Sequence, residues 1–139
     1  VASSAGSTGG VFCAHNAKKA EDVCRNMQNS LLSVFLGVVY SILLRCGHMY
    51  ISQTGRCFNI RLREHWSSLK GSHFSVLASH YNFCKCQPWF EKASVLFWHP
   101  LQTTREISEA YHISRNKNQC ISHSSLSLLD CELKYIDNL

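Results

Sequence analysis

The stretch Gly37–His65, GVVYSILLRCGHMYISQTGRCFNIRLREH, decides the fold. Its opening, Gly37–Leu44, is dense in β-branched and aromatic residues and reads as a strand that is at least partly buried. Arg45-Cys46-Gly47-His48 supplies a turn, Met49–Gln53 a second short strand, and the two strands form a hairpin. Thr54-Gly55 is expected to break the second strand. Residues 57–69 then set Phe58, Leu62, Trp66 and Leu69 at helical spacing, while Arg61 and His65 fall one turn apart on another face.

The hairpin carries a parity condition. Side chains alternate faces with period two, so Tyr40 and Tyr50 share a face of a regular ribbon only when the connecting loop has an odd number of residues. A three-residue loop, Cys46-Gly47-His48, with Gly47 at positive φ, meets the condition.

Working outward, Ser72–Tyr81 reads as a short helix, FCKCQPW as an irregular link and Lys92–Trp98 as a third strand. Thr103-x-x-Glu106 has the form of a capping box. It opens a helix to about Ile113 with Ile107, Ala110 and Tyr111 facing inward. Asn116–Gln119 reads as a loop, and Ser124–Ile136 as a final helix burying Leu126, Leu129 and Leu133. The sum is α+β: a small three-stranded antiparallel sheet flanked by helices, over residues 37–139. Residues 1–36 are expected to be a disordered or weakly structured segment, with Ala/Ser/Thr/Gly-rich residues at its start and at most a short polar helix over 17–29.

Composition bounds the function. The 139 residues are 45% hydrophobic and 17% charged, with 7 Gly and 2 Pro, which excludes a collagenous, low-complexity or wholly disordered chain. The formal charge is +5, and residues 37–73 carry five basic residues against one acid, Glu64, so an anionic partner is met by the first half of the core. The apolar run Leu31–Leu44 falls short of the roughly 20 residues of a spanning helix. It reads as a buried strand and its lead-in, with no membrane role. The start of the chain has no basic stretch leading into an apolar one, so an intracellular, reduced protein is expected. The 8 cysteines are then thiols or metal ligands, although four disulfides in a secreted protein fit the count equally.

The ordered combination Val38-Val39-Tyr40, Tyr50-Ile51-Ser52, Arg61-x-x-x-His65 and a later glutamate helix resembles the GIY-YIG nuclease superfamily. More narrowly, VVYSI…CGHMYISQTGRCFNIRLREH, LASHYNFCKCQPWFEKASVL and TTREISEAYHI are similar to the endonuclease domain at the C-terminal end of Penelope-like retroelements, over roughly residues 37–136. The resemblance implies a nuclear DNA endonuclease that hydrolyses a phosphodiester with one divalent metal, usually Mg²⁺. It implies that Tyr40 activates the attacking water, that Tyr50 is the second motif tyrosine, that Arg61 holds the scissile phosphate, that His65 follows in the same helix, and that Glu109 binds the metal. These roles also suit the residue types: phosphoryl transfer demands positioning and charge neutralisation, guanidinium clamps phosphate, and one carboxylate with waters suits Mg²⁺.

The chain departs from the family pattern at the first motif glycine, Val38, and at the second, Ser52. For the asparagine that usually follows the glutamate helix it offers Asn116 or Asn118. The retroelement members also tend to carry a Cys/Cys/His/His zinc set with two cysteines between the tyrosines. Here only Cys46 remains of that pair, with Leu43 in place of the other; His65, His80, Cys84 and Cys86 are candidates to complete a zinc site.

Plainer roles stand beside these. Glu109 at i, i+4 from Arg105 suits a surface ion pair, His65 a structural histidine, Arg63 a solvated charge, and Trp66, Trp89 and Trp98 core anchors. Cys13, Cys24, Cys57, Cys120 and Cys131 suit free thiols or small core residues. Two alternatives to an active nuclease follow: a decayed copy that keeps the fold and DNA affinity, and a small disulfide-rich secreted protein.

Overall fold

The computed structural model describes residues 36–71 and 74–139. The expectations for residues 1–35, including Cys13 and Cys24, lie outside the described residues. Seven elements follow in order: β1 (Leu36–Leu44), β2 (Met49–Cys57), α1 (Phe58–Lys70), α2 (Val76–Cys84), β3 (Pro88–Trp98), α3 (Gln102–Arg115) and α4 (Asp130–Asp137). The strands make an antiparallel sheet in the order β2-β1-β3, the α+β arrangement expected from the sequence.

The hairpin obeys the parity condition with its loop one residue earlier than expected. Leu43 faces Met49, the Leu44 N–H bonds the His48 carbonyl, and the loop is Arg45-Cys46-Gly47. Gly47, at φ 91°, takes the left-handed position that closes such a turn. Tyr40 pairs with Ser52 and Ile42 with Tyr50, so Tyr40, Ser52 and Tyr50 share one face.

That face is the core. Val38, Tyr40, Ile42, Leu44 and Tyr50 pack with Phe58 and Leu69 of α1 and Leu77 and Ala78 of α2, with Leu62 and Trp66 half-buried against them. Burying side chains of this size contributes roughly 1.5–3 kcal/mol each, and the spacing of Phe58, Leu62, Trp66 and Leu69 is what makes α1 the lid of the sheet. α3 packs against β2 and β1, with Ala110 buried.

Several boundaries differ from the sequence reading. β2 continues through Thr54-Gly55 to Cys57, because a bulge that sets Gly55 and Arg56 of β2 opposite Gly37 (φ 70°) lets Leu36 still pair with Cys57. α2 begins after Ser75, whose Oγ accepts the Ala78 N–H, and runs on to Cys84; β3 therefore starts at Pro88 and absorbs part of the expected link. The capping box at Thr103 does not form: Leu101 precedes α3 without a side-chain cap, and Glu106 accepts from Gln102 instead.

Ile107 is exposed and Tyr111 half-buried, while Arg105, Glu109 and Ala110 form the inward face of α3. Only the last part of Ser124–Ile136 is helical, and it buries none of its residues; Leu126 and Leu129 are exposed and Leu133 is half-buried. α4 is held instead by Asp137, which accepts from Tyr111 and pairs with Arg115. Trp98 is half exposed rather than a core anchor, whereas Trp66 meets Phe90 edge-on. No helix among the described residues is long and apolar enough to cross a membrane.

Candidate functional site

The outer edge of β2 explains how the site is assembled. Strand alternation turns the N–H groups of Met49, Ile51 and Gln53 outward, and each meets a different group. Met49 bonds the Gln119 carbonyl and Ile51 the Ser122 hydroxyl, while the Gln53 N–H faces Glu109 and favours its charged form. The edge is thereby covered, and a carboxylate from α3 comes to the middle of the hairpin.

Around that carboxylate lie the sequence-predicted residues. The Tyr40 hydroxyl is 2.6 Å from His65 Nε2, and the Tyr50 ring meets His65 edge-on at 5.1 Å. The Arg61 guanidinium stands beside both phenols and favours their ionised form, and it bonds Glu64 at 2.9 Å. Glu109 acts electrostatically on Tyr50. Tyr40, Tyr50, Arg61, His65 and Glu109, from four separate elements, thus surround one place. His65 belongs here and not to the thiol cluster described below.

Ser52 was read from the sequence only as a replaced glycine. Its hydroxyl lies beside Tyr40, Tyr50 and Glu109 and favours the charged form of each, which puts it at the centre of the cluster. Its cross-strand pairing with Tyr40 was the available signal. Arg105 left no comparable signal: it is 5% exposed and bonds Gln53 Oε1 and the His99 and Pro100 carbonyls, so the expected ion pair with Glu109 is not formed. Asn116 caps α3 by bonding the His112 carbonyl.

Burial sets the protonation states. Desolvation pushes the Tyr40 phenol well above its usual range, with Tyr50 adding to the rise and Arg61 opposing it. Tyr40 is therefore a neutral phenol at pH 7. Desolvation, helped by the Arg61 cation, brings His65 down to about 4, so its imidazole is neutral at pH 7. With both groups neutral, we assign the Tyr40 hydrogen to the 2.6 Å bond to His65 Nε2. Burial also raises Glu109, against the opposing pull of Ser52 and the Gln53 N–H; among the described residues it has no ion-pair partner. A buried carboxylate beside the Ser52 hydroxyl and the Tyr50 phenol fits one hard divalent cation.

A second cluster lies at the hairpin loop. The donor atoms of Cys46, His80, Cys84 and Cys86 all fall within 4.8 Å of one another and can hold a metal ion. Cys46 Sγ is 3.4 Å from His80 Nε2 and 3.5 Å from Cys86 Sγ; His48 Nδ1 lies 3.5 Å from the same sulfur. His80 and Cys84 share a face of α2 one turn apart. The tight Cys84-x-Cys86 spacing works because Lys85 takes the left-handed conformation (φ 60°), its N–H bonding the Tyr81 carbonyl, and turns Cys86 back on the helix. Desolvation opposes ionisation of Cys46, but bonds from His48, His80 and Cys86 outweigh it and bring the thiol down to about 6. The described cysteines, Cys46, Cys57, Cys84, Cys86, Cys120 and Cys131, are all free thiols.

Comparison with protein-family models, with curated proteins and with solved structures found no match to the chain.

Proposed function

We propose that this domain is a metal-dependent DNA endonuclease of the GIY-YIG type, akin to those of Penelope-like retroelements, which nicks a phosphodiester. The observation that carries the reading is the meeting of Tyr40, Tyr50, Arg61, His65 and Glu109 around Ser52. Arg61, partly exposed beside the two phenols, receives the scissile phosphate. The Tyr40 oxygen orients the attacking water. As it takes a water proton, its own hydrogen passes to His65 Nε2, and the arriving phosphate charge favours the imidazolium that results. Ser52 orients the Glu109 carboxylate beside Tyr50, and Glu109 would hold Mg²⁺. When bound, that ion supplies Lewis-acid stabilisation of the charge developing on the phosphate and the leaving oxygen. A DNA substrate puts this work in the nucleus.

The thiol cluster is read as a structural zinc site. Sulfur at about 2.3 Å and nitrogen at about 2.0–2.1 Å from a tetrahedral zinc lie about 3.5–3.8 Å from one another. The observed 3.4 and 3.5 Å edges match that geometry, and three thiolates with one imidazole are a soft donor set. A zinc held by Cys46, His80, Cys84 and Cys86 would tie the hairpin loop to α2 and to the link that precedes β3.

Supercoiled plasmid with Mg²⁺ tests the nuclease. Open circles are expected from the native domain, with Tyr40→Phe and Glu109→Gln each slowing nicking at least about 100-fold. Nicking that survives both substitutions overturns the assignment. One observation favours a second reading: the Ser52 side chain stands among both phenols and the carboxylate where the family pattern has a glycine, as expected of a decayed copy. Salt-dependent DNA binding without nicking, with activity appearing in Ser52→Gly, identifies that case.

A further inference from the structure

The geometry points to Arg105 as the positioning residue that fixes the Glu109 carboxylate at the edge of β2. This inference rests on reading Glu109 as the cation ligand. Arg105 and Glu109 stand one turn apart on α3 and both are buried, at 5% and 9% exposure. Among the described residues neither is in an ion pair. A buried guanidinium without a carboxylate is costly, so what surrounds it is informative.

The surroundings form a cradle. Nε donates to Gln53 Oε1 at 3.0 Å, and Nη1 donates to the His99 carbonyl at 3.0 Å and the Pro100 carbonyl at 2.7 Å. The bulge opposite Gly37 leaves room for the guanidinium; a Cβ on Gly37 would sit 3.4 Å from Nη1 and 2.6 Å from the His99 oxygen. On the other strand, a Cβ at Gly55 would come within 2.9 Å of Nη2. Both strands of the hairpin thus run glycine backbone past one side chain.

Gln53 links the cradle to the chemistry. Its side-chain oxygen accepts from Arg105 at 3.0 Å, while its backbone N–H faces Glu109, one turn further along α3, and favours the charged carboxylate. These contacts set consecutive turns of α3 against one residue of β2. They fix the height of the helix along the strand, and with it the distance of the carboxylate from Ser52 and Tyr50. Arg105 is too buried to touch DNA and acts only through Glu109.

The test compares the native domain with Arg105→Gln, Arg105→Lys and Gly55→Ala. The last keeps the arginine and crowds its guanidinium, so it reports on placement should Arg105→Gln fail to fold. Readouts are Mn²⁺ affinity by calorimetry, the Glu109 carboxyl titration by carbon NMR, and nicking at varied Mg²⁺. Arg105→Gln is expected to weaken Mn²⁺ binding at least about tenfold and shift the Glu109 titration. It should raise the Mg²⁺ needed for half-maximal nicking and leave KM for plasmid unchanged. Gly55→Ala moves the same quantities less, and Arg105→Lys recovers part of the loss. Folded Arg105→Gln and Gly55→Ala variants with native Mn²⁺ affinity and a native Glu109 titration overturn the inference. If the native domain does not nick, the nuclease reading fails, while the Mn²⁺ and carboxyl measurements still decide the role of Arg105.

Discussion

The hairpin carries two polar clusters built on opposite principles. At its loop, Cys46 is exposed and meets His80, Cys84 and Cys86, a set of soft sulfur and nitrogen donors within 4.8 Å of one another. Along its core face, Tyr40, Tyr50 and Glu109 are buried and offer hard oxygens beside Arg61 and His65. Softness sorts the ions: thiolate and imidazole retain zinc, and a lone carboxylate with hydroxyls retains magnesium weakly, through water. Burial sorts the roles. The loop cluster brings together segments distant in sequence and would contribute to folding with a metal bound, while the inner cluster keeps its phenol and imidazole neutral.

The largest expected effect breaks the loop cluster. Removing zinc with a thiol-competitive chelator, or replacing Cys46 by Ser or His80 by Ala, should lower unfolding stability by about 4 kcal/mol at free zinc a thousandfold above its Kd. Elemental analysis should give one zinc per native chain and much less in either variant. Glu109→Gln provides the contrast: it should retain its zinc while losing Mn²⁺ affinity. Equal melting of native and Cys46→Ser protein with and without zinc would show that the loop cluster binds nothing of consequence.

Next comes the acid response of the inner cluster. His65 has an ordinary value of 6.5 and is held near 4 in the fold. The unfolded chain therefore binds more protons between these values. The stability from keeping His65 neutral is present above pH 6.5 and lost as pH falls toward 4, about 3 kcal/mol in all. His65→Gln should be less stable at pH 7, having lost the 2.6 Å bond from Tyr40, yet should show a flatter stability profile between pH 6.5 and 4. Some slope will remain from His112, which burial also lowers. Urea midpoints across this range decide it; parallel profiles in the two proteins would place the acid response elsewhere.

What could be read in advance follows the same division. Tyr40, Tyr50, Arg61 and His65 obey short-range rules, strand alternation and helical spacing, so their meeting was legible once the loop was required to be odd. Cys46, His80, Cys84 and Cys86 were legible by donor type, although nothing local announced that Lys85 would take positive φ to make the spacing work. Thr54-Gly55 read as a strand breaker because glycine is a poor strand former; its place beside the Arg105 guanidinium is a tertiary fact. Arg105 read as a surface partner of Glu109 for the same reason. Its acceptors are a side chain on β2 and two carbonyls at the end of β3, 52, 6 and 5 residues away in sequence. The expected burial on the final helix failed because Leu126 and Leu129 precede it, and the helix is held by Tyr111 and Arg115 bonding Asp137.

The smallest effect concerns Glu64, the single acid among the basic residues of 37–73. It takes a bidentate pair from Arg56, at 2.6 and 2.8 Å, and a further bond from Arg61 at 2.9 Å. The guanidinium meant for phosphate is thus shared with a carboxylate at the rim, where such pairs contribute roughly 0.2–1 kcal/mol. Glu64→Gln keeps an acceptor but removes the charge, so Arg61 and Arg56 lose a competitor for DNA. Duplex affinity should rise about 2–5-fold at low salt, the free-energy equivalent of such a pair. The gain should shrink as salt screens the rim, and Arg61→Gln should abolish most of it. An unchanged affinity in Glu64→Gln at every salt concentration would mean that Arg61 does not meet the phosphate, and the inner cluster would then lose its anion site while keeping its cation site.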